Sequence, residues 1–162
     1  MQFSIYLALK MKIAIVHDWL TGMRGGEKCL EVFCKLFPSA DLFTLLHIPG
    51  SVSPVIESHP IHTSFIQRFP FVDKNYRHYL PLMPFAIERF DFTGYDLILS
   101  SSHCVAKSIK PQPESLHICY CHTPMRYIWD QFDQYFNRNT SGLISSSVMR
   151  ILRPWLQRWD TR

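Results

Sequence analysis

An α/β domain, a mostly parallel sheet flanked by helices, is the fold class this sequence predicts, and three observations predict it. The run Ile13-Ala14-Ile15-Val16 is short, continuous and apolar, as expected of a strand covered on both faces in a parallel sheet. A glycine-bearing bend from His17 to Gly26 follows, and then Cys29, Val32, Phe33, Leu36 and Phe37 recur at helical spacing. Pro38-Ser39 ends that helix, and Asp41 to Leu46 supplies a second apolar strand a short loop later. Strand, helix, strand is the unit from which parallel sheets are built.

Further elements follow in order. Residues 49 to 71 carry Pro49, Pro54, Pro60 and Pro70 and little periodicity outside Ile61 to Phe69, which predicts a short strand or bridge and a short helix within a loop-rich excursion. Asp73 to Asp91 is rich in Tyr and Phe and reads as helix, but Pro81 and Pro84 each remove a backbone donor, so two helical pieces are expected. Thr93-Gly94 is a turn. Asp96 to Ser100 and Leu116 to Tyr120 are strands that extend the sheet, separated by a connection with Pro111 and Pro113. Gly142 to Asp160 places Leu152, Trp155, Leu156 and Trp159 on one helical face. A strand pattern begins only after Met11-Lys12, so residues 1 to 10 are expected to be an extension outside the fold, and residues 11 to 162 the domain.

With 162 residues and a hydrophobic share of 47%, one domain with a real core is expected. A net charge of +4 is far from the clustered basic surfaces that neutralise phosphates, so nucleic acid is not indicated as a partner. Five cysteines, an odd number, at 29, 34, 104, 119 and 121 fit a reduced, cytoplasmic protein better than a disulfide framework. Residues 3 to 9 are apolar but lack a basic leader and are too short to span a bilayer.

Two constellations could carry chemistry. Gly22 to Gly26 lies between a strand and a helix, where bare backbone and unpaired helix N–H groups can approach a phosphate or sugar, with Gly25 and Gly26 the natural contact points. The bend has neither dinucleotide-fold nor P-loop spacing, and a tight turn that merely admits the helix is the equal alternative. Cys119-Tyr120-Cys121-His122-Thr123-Pro124 ends a strand, where open α/β sheets place their ligand crevice. His122 is therefore the leading candidate for a catalytic group, able to orient a hydroxyl or share a proton near its unperturbed pKa of about 6.5; a structural histidine is the alternative. Ser100-Ser101-Ser102-His103 follows another strand and would line the same edge with hydroxyls suited to sugars; no nucleophile elbow surrounds these serines. Arg126, Tyr127, Trp129 and Asp130 add a cation and aromatic surfaces beside His122, or simply pack the start of a helix. Zinc at Cys104, Cys119, Cys121, His103 and His122 is disfavoured because Cys-x-Cys on one strand lacks the Cys-x2-Cys knuckle, and buried cysteines are the better reading.

Taken together, the segment from Lys12 to Leu20, Gly-Met-Arg-Gly-Gly-Glu-Lys at 22 to 28, Ser-Ser-Ser-His at 100 to 103 and Tyr-Cys-His-Thr-Pro-Met-Arg-Tyr at 120 to 127 resemble family 4 glycosyltransferases, closest to mannosyltransferase-like members that build bacterial surface polysaccharides. The resemblance covers about residues 11 to 160. It implies the N-terminal, acceptor-side half of a GT-B fold, a Rossmann-like domain, with its C-terminal end incomplete and the donor-binding domain and its Glu-x7-Glu signature lying outside the chain. It implies retaining transfer of a hexosyl unit, mannose among the candidates, from a nucleotide sugar to a saccharide or lipid-linked acceptor, with no obligatory metal or other cofactor. By carry-over His122 contacts the transferred sugar or acceptor hydroxyl, Gly25 and Gly26 face the donor diphosphate or acceptor, and Ser102, His103 and Arg126 bind substrate. The isolated chain is then expected to be inactive.

Rival expectations are a non-catalytic α/β binding or interaction module, since fold alone does not fix function, and peripheral contact with the inner face of the cell membrane through the final helix or the aromatic segment at 75 to 90.

Overall fold

The computed structural model describes residues 11–136 and 143–161; the expectation for residues 1 to 10, and the start of the last helix at Gly142, fall outside them. Five strands form one all-parallel sheet in the order β3-β2-β1-β4-β5: β1 (Ile13–His17), β2 (Asp41–Thr44), β3 (Ile61–Thr63), β4 (Leu97–Ser102) and β5 (Leu116–Cys121). Helices α1 (Gly25–Leu36) and α6 (Leu143–Asp160) are the long ones. Four short helices, α2 (Pro54–Glu57), α3 (Val72–Asn75), α4 (Met83–Ile87) and α5 (Phe132–Tyr135), and three 3-10 turns complete the described residues. This is an α/β, Rossmann-like fold.

Every residue of β1 is buried, which explains its unbroken apolar sequence: Ile13 and Ile15 face one core and Ala14 and Val16 the other. On the first face α1 lays Leu30 and Cys34 against Ile15, Leu42 and Leu97. On the second, α4, the turns around it and α6 enclose Phe43, Phe92, Ile98 and Trp159. The direction in which strands are added reverses between β1 and β4, since β2 and β3 add on one side of β1 and β5 on the far side of β4. That switch point is where a parallel sheet opens a crevice beyond its carboxyl ends.

Several expectations change in detail. Two helical pieces were expected within 73 to 91; α3, a 3-10 stretch at Tyr76–Leu82 holding Pro81, and α4 with Pro84 in its first turn are found. Proline at a helix start costs nothing, because that N–H has no intrahelical partner. On α1, Val32 and Leu36 are exposed, because the line Glu27, Leu30, Cys34 faces the sheet instead. On α6, Leu156 and Trp159 are buried as expected while Trp155 is half-exposed, stacked on Phe85 at 5.5 Å. Cys119 and Cys121 were read as buried and are exposed. They lie on β5, which among the described residues is an edge strand paired only with β4, and side chains on both of its faces meet solvent.

The ends of β1 and β4 are tied by one carboxylate. Asp18, fully buried, follows β1 directly. Its Oδ2 accepts the backbone N–H groups of His103 (2.7 Å) and Cys104 (3.0 Å), and its Oδ1 those of Val105 (2.6 Å) and Ala106 (2.8 Å). A buried charge is tolerated when donors surround it, and these four N–H groups have no helix or ladder partner of their own. Asp18→Ala should therefore lower unfolding free energy by about 3–5 kcal/mol, read from the urea midpoint at unchanged slope. A loss under about 1 kcal/mol would mean that this turn finds other acceptors.

Candidate functional site

A cleft of about 560 Å³ opens at the switch point, lined by Arg24, Gly25, Gly26 and Glu27 from the start of α1, by His103 after β4, by His122, Thr123, Arg126 and Tyr127 after β5, and by Trp19, Arg77, Gln131 and Tyr135. The sequence-predicted Gly25, Gly26, His103, His122 and Arg126 thus share one cavity. Ser102 does not join them. Strand alternation turns its side chain to the other face, where it is fully buried with an unpartnered Oγ. Trp129 and Asp130 line a neighbouring hollow with Lys107 and Asp160 instead.

The approach of α1 to the strand ends is close. A Cβ on Gly26 would lie 3.4 Å from His17 Cε1 and 3.8 Å from His122 Nε2. A Cβ would make ordinary van der Waals contact with both imidazoles, so glycine leaves between them a space that a side chain would fill. Gly25 has open space at its Cβ position.

His17 and Ser101 are register partners across β1 and β4, both fully buried and both on the α1 side. Ser101 Oγ lies 3.2 Å from His17 Nδ1 and 2.9 Å from His122 Nε2, so one hydroxyl bridges two imidazoles. At the far side of His17, Nε2 has no hydrogen-bond partner and stands 3.9 Å from Glu27 Oε1. Glu27 is held by its other oxygen, which accepts the Arg24 N–H at 3.0 Å. In the sequence Ser101 is marked only as part of a serine run, and His17 and Glu27 are not singled out. The signal for His17 was a polar residue closing an otherwise apolar central strand.

Electrostatics separate these groups. Burial pushes the Glu27 carboxyl up, but the facing His17 and the N–H groups of Arg24 and of Glu27 itself outweigh it, leaving its pKa below the ordinary value. Burial lowers the pKa of His103, with Asp18, 3.1 Å from its Nδ1, opposing. Burial, then the neighbouring His17 and His103, lowers that of His122. His117, hydrogen-bonded to Ser100 Oγ at 2.8 Å, is lowered by burial as well. Above about pH 6.5 His103 and His122 are therefore neutral, and Arg24, Arg77 and Arg126 leave the cleft cationic.

No protein-family model, curated protein or solved structure matches the chain. Among the described residues no group of three or more His, Cys, Asp or Glu could hold a metal ion, and no helix is long and apolar enough to cross a membrane.

Three lowered imidazoles set a pH dependence. The unfolded chain takes up these protons near the ordinary histidine value of 6.5, the folded chain only at lower pH. Between those values the unfolded state binds more protons, so stability is complete above about pH 6.5 and falls with acidification. The thermal midpoint should be flat from about pH 8 to 7 and drop steadily toward about pH 5, with a shallower drop in His122→Asn. A midpoint that rises on acidification would contradict this account.

Proposed function

We propose that this domain is the acceptor-side half of a family 4 glycosyltransferase, which transfers a hexosyl unit from a nucleotide sugar to an acceptor hydroxyl within a GT-B cleft. The observation that supports it most directly is convergence: the diglycine start of α1 and His122, nearly a hundred residues apart in sequence, face each other at the carboxyl edge of the sheet, 3.8 Å between His122 Nε2 and the Cβ position of Gly26.

The chemistry asks for three things that the cleft supplies. In the transfer, the bond from the sugar's anomeric carbon to the phosphate oxygen breaks, a bond to the acceptor oxygen forms, and the acceptor proton must leave. Negative charge grows on the departing diphosphate, and free N–H groups in the first turn of α1, its positive dipole end, and the guanidinium groups of Arg24, Arg77 and Arg126 are suited to meet it. A neutral His122 offers a nitrogen lone pair that can accept from a hydroxyl, and its lowered pKa keeps it so at neutral pH. Tyr127 and Tyr135 give the cleft aromatic walls on which a sugar ring can lie. A donor-binding domain facing this edge would align both substrates, and alignment of two bound reactants accounts for much of such a rate.

The test is transfer by a protein in which this domain is paired with a nucleotide-sugar-binding domain. His122→Ala should lower turnover about 100-fold or more with an unchanged circular dichroism spectrum. Activity within a few-fold of the parent removes His122 from the reaction, and absence of transfer with every hexose donor favours a non-catalytic binding module.

A further inference from the structure

The chain Glu27, His17, Ser101, His122 has a direction, and that direction decides which nitrogen of His122 is free. Ser101 carries one hydroxyl proton and stands between two imidazole nitrogens, His17 Nδ1 at 3.2 Å and His122 Nε2 at 2.9 Å. It must donate to one and accept from the other. In the first arrangement His17 Nδ1–H donates to Ser101, and Ser101 donates to His122 Nε2. His17 Nε2 then carries a bare lone pair and His122 keeps its proton on Nδ1. In the second, His122 Nε2–H donates to Ser101, Ser101 donates to His17 Nδ1, and His17 Nε2 carries the proton.

The far end of the chain chooses between them. His17 is fully buried, and its Nε2 has no hydrogen-bond partner but faces Glu27 Oε1 at 3.9 Å. Glu27 is itself 2% exposed and cannot swing away, because its Oε2 holds the Arg24 N–H at the start of α1. A lone pair aimed at a buried carboxylate is repelled; an N–H aimed at it is attracted, and with little water between them the attraction is weakly screened. Both arrangements take the two imidazoles as neutral, the state in which one hydroxyl must donate to one ring and accept from the other.

We infer that Glu27, His17 and Ser101 are positioning residues: the Glu27 carboxylate fixes the proton of His122 on Nε2 and so leaves Nδ1 as the bare, accepting nitrogen of a ring that lines the cleft. Among the described residues nothing accepts from or donates to His122 Nδ1, while the ring is held on edge against Tyr120 at 4.8 Å between centroids. Glu27 thus sets the state of the atom that would accept a hydroxyl proton, acting on it through His17 and Ser101. The use made of Nδ1 rests on the transferase reading; the tautomer itself does not.

The experiment reads the tautomer directly. The full chain, labelled with ¹⁵N at histidine, is examined by long-range ¹H–¹⁵N correlation at about pH 8, with the His122 signals identified by their loss in His122→Asn. Wild type should show His122 protonated on Nε2 and bare on Nδ1. Glu27→Gln can donate an amide N–H to His17 Nε2 and should reverse the chain, shifting the population about tenfold or more toward the Nδ1–H form. Ser101→Ala cuts the chain and should move both His122 nitrogen shifts to the averaged values of the urea-unfolded protein. A proton on Nδ1 in wild type overturns the inference, as does a Glu27→Gln protein with the wild-type tautomer. Should Glu27→Gln fail to fold, Ser101→Ala decides, and unchanged shifts there overturn it equally. No substrate is needed, so these spectra with no transfer activity sink the functional reading and leave the positioning chain standing.

Discussion

One buried carboxylate organises the working end of the molecule. Asp18 stands where β1 leaves the sheet and gathers the four backbone N–H groups of residues 103 to 106 where β4 leaves it. Two strand ends at a topological switch point tend to diverge, because their connections run to opposite sides of the sheet. Fixing them to one charge makes the floor of the cleft a single rigid piece, in which His17, Trp19 and His103 keep their mutual positions. Trp19 meets His103 edge-on at 4.6 Å, a contact possible only while both strand ends stay in register. The rigidity matters because hydrogen-bonded imidazoles act only within a narrow range of distance and angle.

On this floor the first turn of α1 is pressed close, and Gly26 leaves the space beside the two imidazoles unfilled. Every ordinary residue at position 26 would place atoms beside His17 and His122, while Glu27, one step later, turns inward beneath the helix start. A helix N-terminus normally draws its carboxylate to the surface, where it caps free N–H groups. Glu27 does cap Arg24 N–H, but from the buried side, so the same carboxylate serves both the helix and the imidazole behind it. The cleft therefore has an inner layer of dry, mutually oriented groups and an outer layer of arginines and aromatic rings open to a ligand.

What could be read in the sequence was whatever depends on neighbours along the chain. The apolar run of Ile13 to Val16, the glycine bend, and the position of His122 just past a strand are local patterns, and each stands where expected. What depends on pairing between distant segments was not legible. That Ser101 rather than Ser102 meets His122 follows from the β1–β4 register, His17 opposite Ser101, and a slip of one residue would exchange them. Asp18 reads as an ordinary loop acid until residues 103 to 106 are folded over it. The cysteines of β5 look like core residues in sequence, because a strand's composition does not reveal whether it lies in the middle of a sheet or at its edge; Leu116, Ile118 and Tyr120, apolar and half-exposed, show the same ambiguity.

The contrast between Asp18 and Glu27 explains why two buried acids so near each other play different parts. Asp18 is saturated: four N–H donors and the His103 ring surround it, so it has no capacity left for a changing partner and its influence is structural. Glu27 is not saturated. One oxygen is held by Arg24, while the other faces an imidazole at a distance too long for a hydrogen bond and too short to be indifferent. A carboxylate with one free, desolvated oxygen exerts a field on whatever lies in front of it, and here that is the start of a chain of polarisable groups ending in the cleft. With His17 and Ser101 between them, the acid's preference for a proton is felt at His122 through the chain rather than by contact.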